Sequence, residues 1–361
     1  MNAAVRHYTN EIEDFRLQVP EQALQALRLR LRRARSLGEG WDFGAWRGAS
    51  PETLDEVLDH WLEGFDFRRL EAELNTLGLQ RFAGAEGDCV FLEVRSSERS
   101  AVPLLLLTET VPRVETLLGP LAEPRKYGRA AVAAFHVVCP IALEETANVA
   151  SRAQVCADLM QKLGHDRYVV HGSGGGAEVA QRLAALDAQH VMAIHLTRLS
   201  GFPSADPLEL AWLSSVEKSQ LALLNELETE RRFNAPESPV DELASMVAQL
   251  ADFEGKSAVW CERLLGCLTL REVGRSADCD RMPRSTAATW GAEPGSSVPM
   301  ALSAFPLDAP SLRRIVERRH RVVSWTEHER GGAFPELEQP ELLLAELCAF
   351  FATVVHAAFG E

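Results

Sequence analysis

A chain of 361 residues, 46% hydrophobic and 25% charged, can bury the core of one large domain carrying an insertion, or of two domains. Its formal net charge of −15 argues against nucleic acid and anionic membrane surfaces as partners, because both need a basic face to release counterions. No window reaches the ~18 consecutive apolar residues of a membrane span, and the start, MNAAVRHYTNEIEDFRL, lacks the apolar run of a signal peptide.

The first predicted elements are amphipathic helices. FRLQVPEQALQALRLRLRRAR offers Pro20 as a first helical residue, with leucines at three- and four-residue spacing behind it. Its arginines read as a solvated face or as a basic docking patch. SPETLDEVLDHWLEGFDFRRLEAELN opens with Ser50 as an N-cap ahead of Pro51 and acids in the first turn. Short apolar runs bounded by turns follow: CVFLEV (89–94), VPLLLLTE (102–109), AAVAAFHVVCP (130–140), RYVVHG (167–172) and VMAIHLT (191–197). Helical stretches such as SRAQVCADLMQKLG separate the later ones. Strands alternating with helices predict parallel βαβ units, hence a layered α/β core.

Past residue 205 the pattern turns helical and charge-rich, in LAWLSSVEKSQLALLNELETERR and VDELASMVAQLADF. SVPMALSAFP (297–306) and HRVVSWTE (320–327) restore strand character, and PELLLAELCAFFATVVHAAFG closes with a helix. The expected organisation is an N-terminal helical meander over 1–85, a core from 86–205 and 295–361, and a helical lid over 206–294. The seven cysteines are scattered, odd in number and without a C-x-x-C pair. They predict reduced thiols in a cytoplasmic protein, not a disulfide framework or a zinc site.

RYVVHGSGGGAEVAQRLA reads as a buried strand, a glycine-dense turn and a helix, the setting of a nucleophile elbow. Together with HWLEGFDFRRLEAELN, VMAIHLT, ESPVDELASMV, SSVPMALSAFPLD and WTEHERGGAFPELEQPELL, it resembles the microsomal-type epoxide hydrolase family over nearly the whole chain. The resemblance implies an α/β-hydrolase fold with a mostly parallel sheet. It also implies a mechanism in which an elbow aspartate opens an epoxide to a covalent ester. A histidine oriented by an acid then activates water, and two lid tyrosines protonate the epoxide oxygen.

Carried over residue by residue, that machinery is incomplete. The nucleophile position is Gly174, framed by Gly172 and Gly176, and the histidine of the family's "GGHF" is Ala333, followed by Phe334. The orienting acid remains as Asp308. One lid tyrosine position falls on Cys279. The chain's tyrosines are Tyr8, Tyr127 and Tyr168, none in the lid. The oxyanion-side segment reads ETVPRV, Glu109 to Val114, placing Glu109, Thr110 and Val111 at the mouth of the same cavity. Glycine cannot attack carbon and alanine cannot take a proton, so ester chemistry is not expected here.

Substitutes remain open. Ser173, one residue out of register, could be a nucleophile or a hydroxyl bonded within its own turn. His171 reads as a satisfied core histidine or as an acid/base. The GSGGG run, including Gly175, could cradle a phosphate on its amides. Asp308 either stands alone with a raised pKa, suited to general acid work beside Glu109, or has an arginine or backbone partner. Cys279 reads as packing. The expected ligand is a bulky apolar small molecule held without cofactor or metal, with a homodimer possible. The expected reaction is a non-hydrolytic cyclisation, rearrangement or carbon–carbon bond formation in specialised metabolism. The alternatives are a non-catalytic binding or partner subunit and, third, a residual hydrolase.

Overall fold

The computed structural model describes residues 11–36, 50–108, 111–129, 134–143, 148–199, 203, 207–233, 238–250, 258–274, 295–306 and 308–359. Nine strands form one sheet: β1 (Ile12–Asp14), β2 (Leu79–Gly84), β3 (Gly87–Val94), β4 (Val102–Leu107), β5 (Phe135–Leu143), β6 (Tyr168–Gly172), β7 (Val191–Leu196), β8 (Ser296–Ala304) and β9 (His320–Glu327). Their order is β1-β2-β3-β5-β4-β6-β7-β8-β9. The pairs β1–β2, β2–β3 and β3–β5 run antiparallel, and every pair from β5 to β9 runs parallel.

The described part of each apolar run read as a strand contributes a strand to this sheet, while Glu109 and residues 130–133 of two of those runs lie outside the described residues. β1 and β2 are additions, drawn from the segment read as an all-helical meander. LQRFAG shows little alternation, yet Leu79, Phe82 and Gly84 are buried because β2 folds back on β3 through a two-residue hairpin, with Gly84 opposite Gly87. Tertiary pairing, not intrinsic propensity, makes this strand.

The N-terminal helices are α1 (Glu21–Ser36), α2 (Pro51–Asp59) and α3 (Phe67–Asn75). α1 begins one residue after Pro20, whose carbonyl accepts the Ala23 N–H at 2.9 Å. Ser50 caps α2 as expected, its hydroxyl accepting the Thr53 N–H at 3.2 Å. Crossover helices α4 (Val111–Ala122), α5 (Val149–Lys162) and α6 (Gly175–Leu186) follow β4, β5 and β6. The predicted lid contains α7 (Pro207–Trp212), α8 (Ser215–Phe233), α9 (Pro239–Ala248) and α10 (Ala258–Gly274), and no strand among its described residues. Then come α11 (Arg313–Arg319), α12 (Pro335–Glu338) and α13 (Pro340–Phe359).

Alternating side chains of the central strands feed two cores. Leu105, Leu107, Val170, Ile194 and Leu196 pack with α5 and α6. Leu104, Leu106, Val169 and Ala193 pack with α4 and α13. Strands covered on both faces must be continuously apolar, and β6 and β7 are buried along their whole lengths. A third cluster joins α1 and α2 to lid helices α9 and α10 and to the loop after β9. The six cysteines among the described residues are free. Burial pushes the thiols of Cys139 and Cys156 up to about 12, so both are inert packing groups.

Candidate functional site

Ligands of parallel α/β sheets bind beyond the carboxyl ends of the strands, where β4, β6, β7, β8 and β9 release their loops here. The centre of that rim is the turn from β6 to α6. Gly174, between them, has φ 54° and ψ −130°, a conformation that side-chain-bearing residues adopt only under strain. The flanking glycines are fixed by close approach. A Cβ on Gly172 would lie 2.7 Å from the Gly176 carbonyl oxygen, and one on Gly176 would lie 2.1 Å from that of Leu107. This frame puts residue 174 in the exposed elbow position and residue 173 inside it. Gly174 and Gly175 are half-buried.

Ser173 therefore does not stand at the elbow. It is fully buried, its N–H donates to the Leu107 carbonyl at 3.1 Å, and its hydroxyl donates to the buried Glu336 carboxylate. The bond runs to α12, not to its own turn, and leaves no geometry for a nucleophile at residue 173. His171 is a core histidine. Its Nδ1 lies 3.1 Å from Nδ1 of His195, whose Nε2 lies 3.1 Å from the Ser303 hydroxyl. This buried polar chain crosses β6, β7 and β8. Burial holds the His195 imidazole well below its ordinary pKa, reinforced by the nearby His171 and His328.

Asp308 does not stand alone. The Arg198 guanidinium, just past β7, reaches across the rim. Nη1 donates to Asp308 Oδ1 at 3.4 Å, Nη2 donates to the Gly174 carbonyl at 3.0 Å, and Glu178 of α6 lies 4.0 Å away. The side chains of Arg198 and Asp308 are only 9% and 3% exposed. Asp308 Oδ1 also accepts the Ala309 N–H at 2.7 Å. Of the two readings left open for Asp308, the structure has the arginine and backbone partners and not the lone carboxylate, because a guanidinium meets the acid.

Ala333 and Phe334 are buried under the lid. The Ala333 N–H donates to the Gln249 carbonyl at 3.0 Å, the Gly332 N–H donates to Glu338 at 3.0 Å, and Trp260 Nε1 donates to the Leu337 carbonyl at 3.2 Å. Leu243, Val247, Leu250 and Leu264 complete the apolar surroundings. Glu109, Thr110 and Cys279 lie outside the described residues, and Val111 opens α4. Elbow, Arg198 and Asp308 are thus brought together, while His171 and Ser173 lie beneath them.

Sequence reading missed Arg198, Glu336 and Gln249. A charge directly after VMAIHLT, at a strand's carboxyl end, was the available signal for Arg198. Nothing local marks the partner of Glu336, which is 163 residues away in sequence.

Residues 12–112 match the family model described as "Epoxide hydrolase N terminus". The chain is 28% identical over 382 residues to a protein of Stigmatella aurantiaca (strain DW4/3-1) named "Putative epoxide hydrolase", covering 93% of this chain and 84% of that one. It is 22% identical over 201 residues to Epoxide hydrolase 1 of Sus scrofa, covering 51% of this chain and 44% of that protein. The structure of Aspergillus niger epoxide hydrolase superposes with a TM-score of 0.69 at 22% identity, covering 95% and 97% of the two chains. Juvenile hormone epoxide hydrolase from the silkworm Bombyx mori gives 0.68 at 16% identity, covering 97% and 96%. Among the described residues no helix is long and apolar enough to cross a membrane.

Proposed function

We propose that this chain, which has an α/β-hydrolase fold and resembles epoxide hydrolases in sequence, is a member of that family that binds a largely apolar small molecule between sheet and lid without forming the covalent ester. The observation that carries this reading is Gly174 in the strained elbow position, its carbonyl held by an arginine paired with Asp308. In this reading the triad is degenerate: no nucleophile stands at residue 174, no base at Ala333, and the surviving acid is committed to Arg198. Turnover, where it occurs, is a cofactor-free non-hydrolytic step such as cyclisation, rearrangement or carbon–carbon bond formation in specialised metabolism. Shape and the fixed guanidinium–carboxylate dipole would hold a near-attack geometry. The acidic charge and scattered cysteines support a cytoplasmic setting.

The test is incubation with styrene oxide in water enriched in oxygen-18. Diol formation at the buffer rate is expected. Sustained enzymatic diol with label first retained on a protein carboxylate would overturn the proposal.

A second reading, a non-catalytic binding or partner subunit, has its own support. Trp260 and Phe334 fill the cluster under the lid, while Leu208, Trp212 and Val216 on α7 and α8 are 78%, 48% and 66% exposed. Native mass spectrometry of protein equilibrated with apolar metabolite extracts separates the two. A retained small molecule supports the first reading, and an empty protein the second.

A further inference from the structure

Large apolar side chains left in solvent are not spread evenly over this molecule. Eight are exposed among the described residues, and four of them, Leu208, Trp212, Val216 and Leu223, fall within α7 and α8. Such clustering marks an interaction surface. α8 lays Leu221 and Leu224 against Leu312 and Ile315, and turns Val216, Lys218, Ser219, Ala222, Leu223 and Glu226 to solvent. At 3.6 residues per turn these six make one continuous outer face.

The charges give that face a two-fold register. Lys218 stands four residues before Ala222 and Glu226 four residues after it, both exposed, and neither side chain is held in an ion pair among the described residues. Laid antiparallel about an axis at Ala222, two copies of α8 bring each Lys218 level with Glu226 of the other copy, twice by symmetry. The same operation sets Leu223 beside its own counterpart, and the small Ala222 side chain lies where the helices come closest.

The neighbouring arginines select the antiparallel direction. Arg314 and Arg318 stack on the Trp212 ring at 5.6 and 5.5 Å, and the Arg314 backbone N–H donates to Glu217 Oε1 at 3.1 Å, so this basic cluster sits at the amino-terminal end of α8. Its carboxylates, Glu217 and Glu209, are buried beneath, leaving the guanidiniums outermost. A parallel pair would bring two such clusters and two positive helix ends together. The antiparallel pair sets one Val216 ~18 Å along the axis from the other, beyond the ~8 Å Debye length of physiological salt. We propose that the outer face of α8 is the contact face of a homodimer, antiparallel about a two-fold axis at Ala222. The proposal holds for a catalytic and for a non-catalytic chain alike.

Sedimentation equilibrium of the full chain tests it. A mass of twice 39.8 kDa is expected, with a dissociation constant of about 10 µM or tighter. K218E and E226K each set like charges together at two places and should weaken the dimer by roughly tenfold or more. K218E/E226K restores the attraction and should return association to within about threefold of wild type. L223E should leave the circular dichroism unchanged and the protein monomeric. A single-chain mass at about 100 µM would overturn the proposal and leave the face to another partner. A dimer unmoved by L223E, single charge variants with unaltered association, or no recovery in the double variant would overturn it as well. Should one variant not fold, the wild-type mass and the remaining variants still decide.

Discussion

The elbow between β6 and α6 and the loops after β8 and β9 meet at one rim but are held in different ways. At the elbow, backbone meets backbone: Gly172 and Gly176 let strand and helix approach where any Cβ would collide. On the other side, side-chain polar contacts decide the arrangement: Asp308 with Arg198, Glu338 with the Gly332 amide. The first kind of constraint does not depend on which side chains surround it. The second can be rewritten by a single new partner, and Arg198 is such a partner.

The largest effect should come from that partner. R198M strips the cation from a carboxylate that is almost wholly buried, and is expected to cost about 3–5 kcal/mol in urea unfolding. D308N added to R198M should recover much of the loss, since no uncompensated charge remains. Equal stability of R198M and wild type would mean that the ion pair holds nothing. On the elbow side, G176A drives a methyl into the Leu107 carbonyl and should cost about 2–3 kcal/mol by thermal or urea unfolding. G174A, at a position that demands only an unusual φ, should cost less, about 1–2 kcal/mol.

Acid reaches the buried polar chain under the elbow. The folded protein keeps His195 neutral, while the unfolded chain takes a proton near the ordinary imidazole pKa of ~6.5. Stability is therefore full above that pH and falls below it, by about 1.4 kcal/mol per pH unit for each such group. His320, lowered to about 4 chiefly by burial, adds to the slope between ~6.5 and about 4. H195Q, which cannot take the proton, should flatten the decline in a series of denaturant melts across pH. The smallest effect belongs to the loop tether. W260F removes the Nε1 bond to the Leu337 carbonyl for about 1 kcal/mol, seen as a shift in thermal midpoint with the rest of the rim unchanged.

The same contrast separates what could be read in the residues from what could not. CVFLEV, VPLLLL and RYVVHG announce strands because burial on both faces demands unbroken apolar runs, and the elbow shows itself because only glycine fits its contacts. SPETLDEVLD announces α2 because a serine ahead of a proline and an acidic first turn mark a helix start, and the Ser50 hydroxyl does accept the Thr53 N–H. The partners of Asp308 and Ser173 could not be read. They lie 110 and 163 residues away, and sequence periodicity carries no trace of such pairings. LQRFAG was passed over for a related reason, since its strand exists only through β3.

The row of His171, His195 and Ser303 has a consequence of its own. A bond between two Nδ1 atoms needs one ring to carry the hydrogen there and the other to present a lone pair. If His195 gives that hydrogen, its Nε2 is bare and Ser303 must point its hydroxyl inward; if it receives one, its Nε2–H is directed at Ser303 and the hydroxyl must turn away. Three neighbouring strands thereby share one direction of hydrogen-bonding, and reversing it at either end obliges the whole row to reverse.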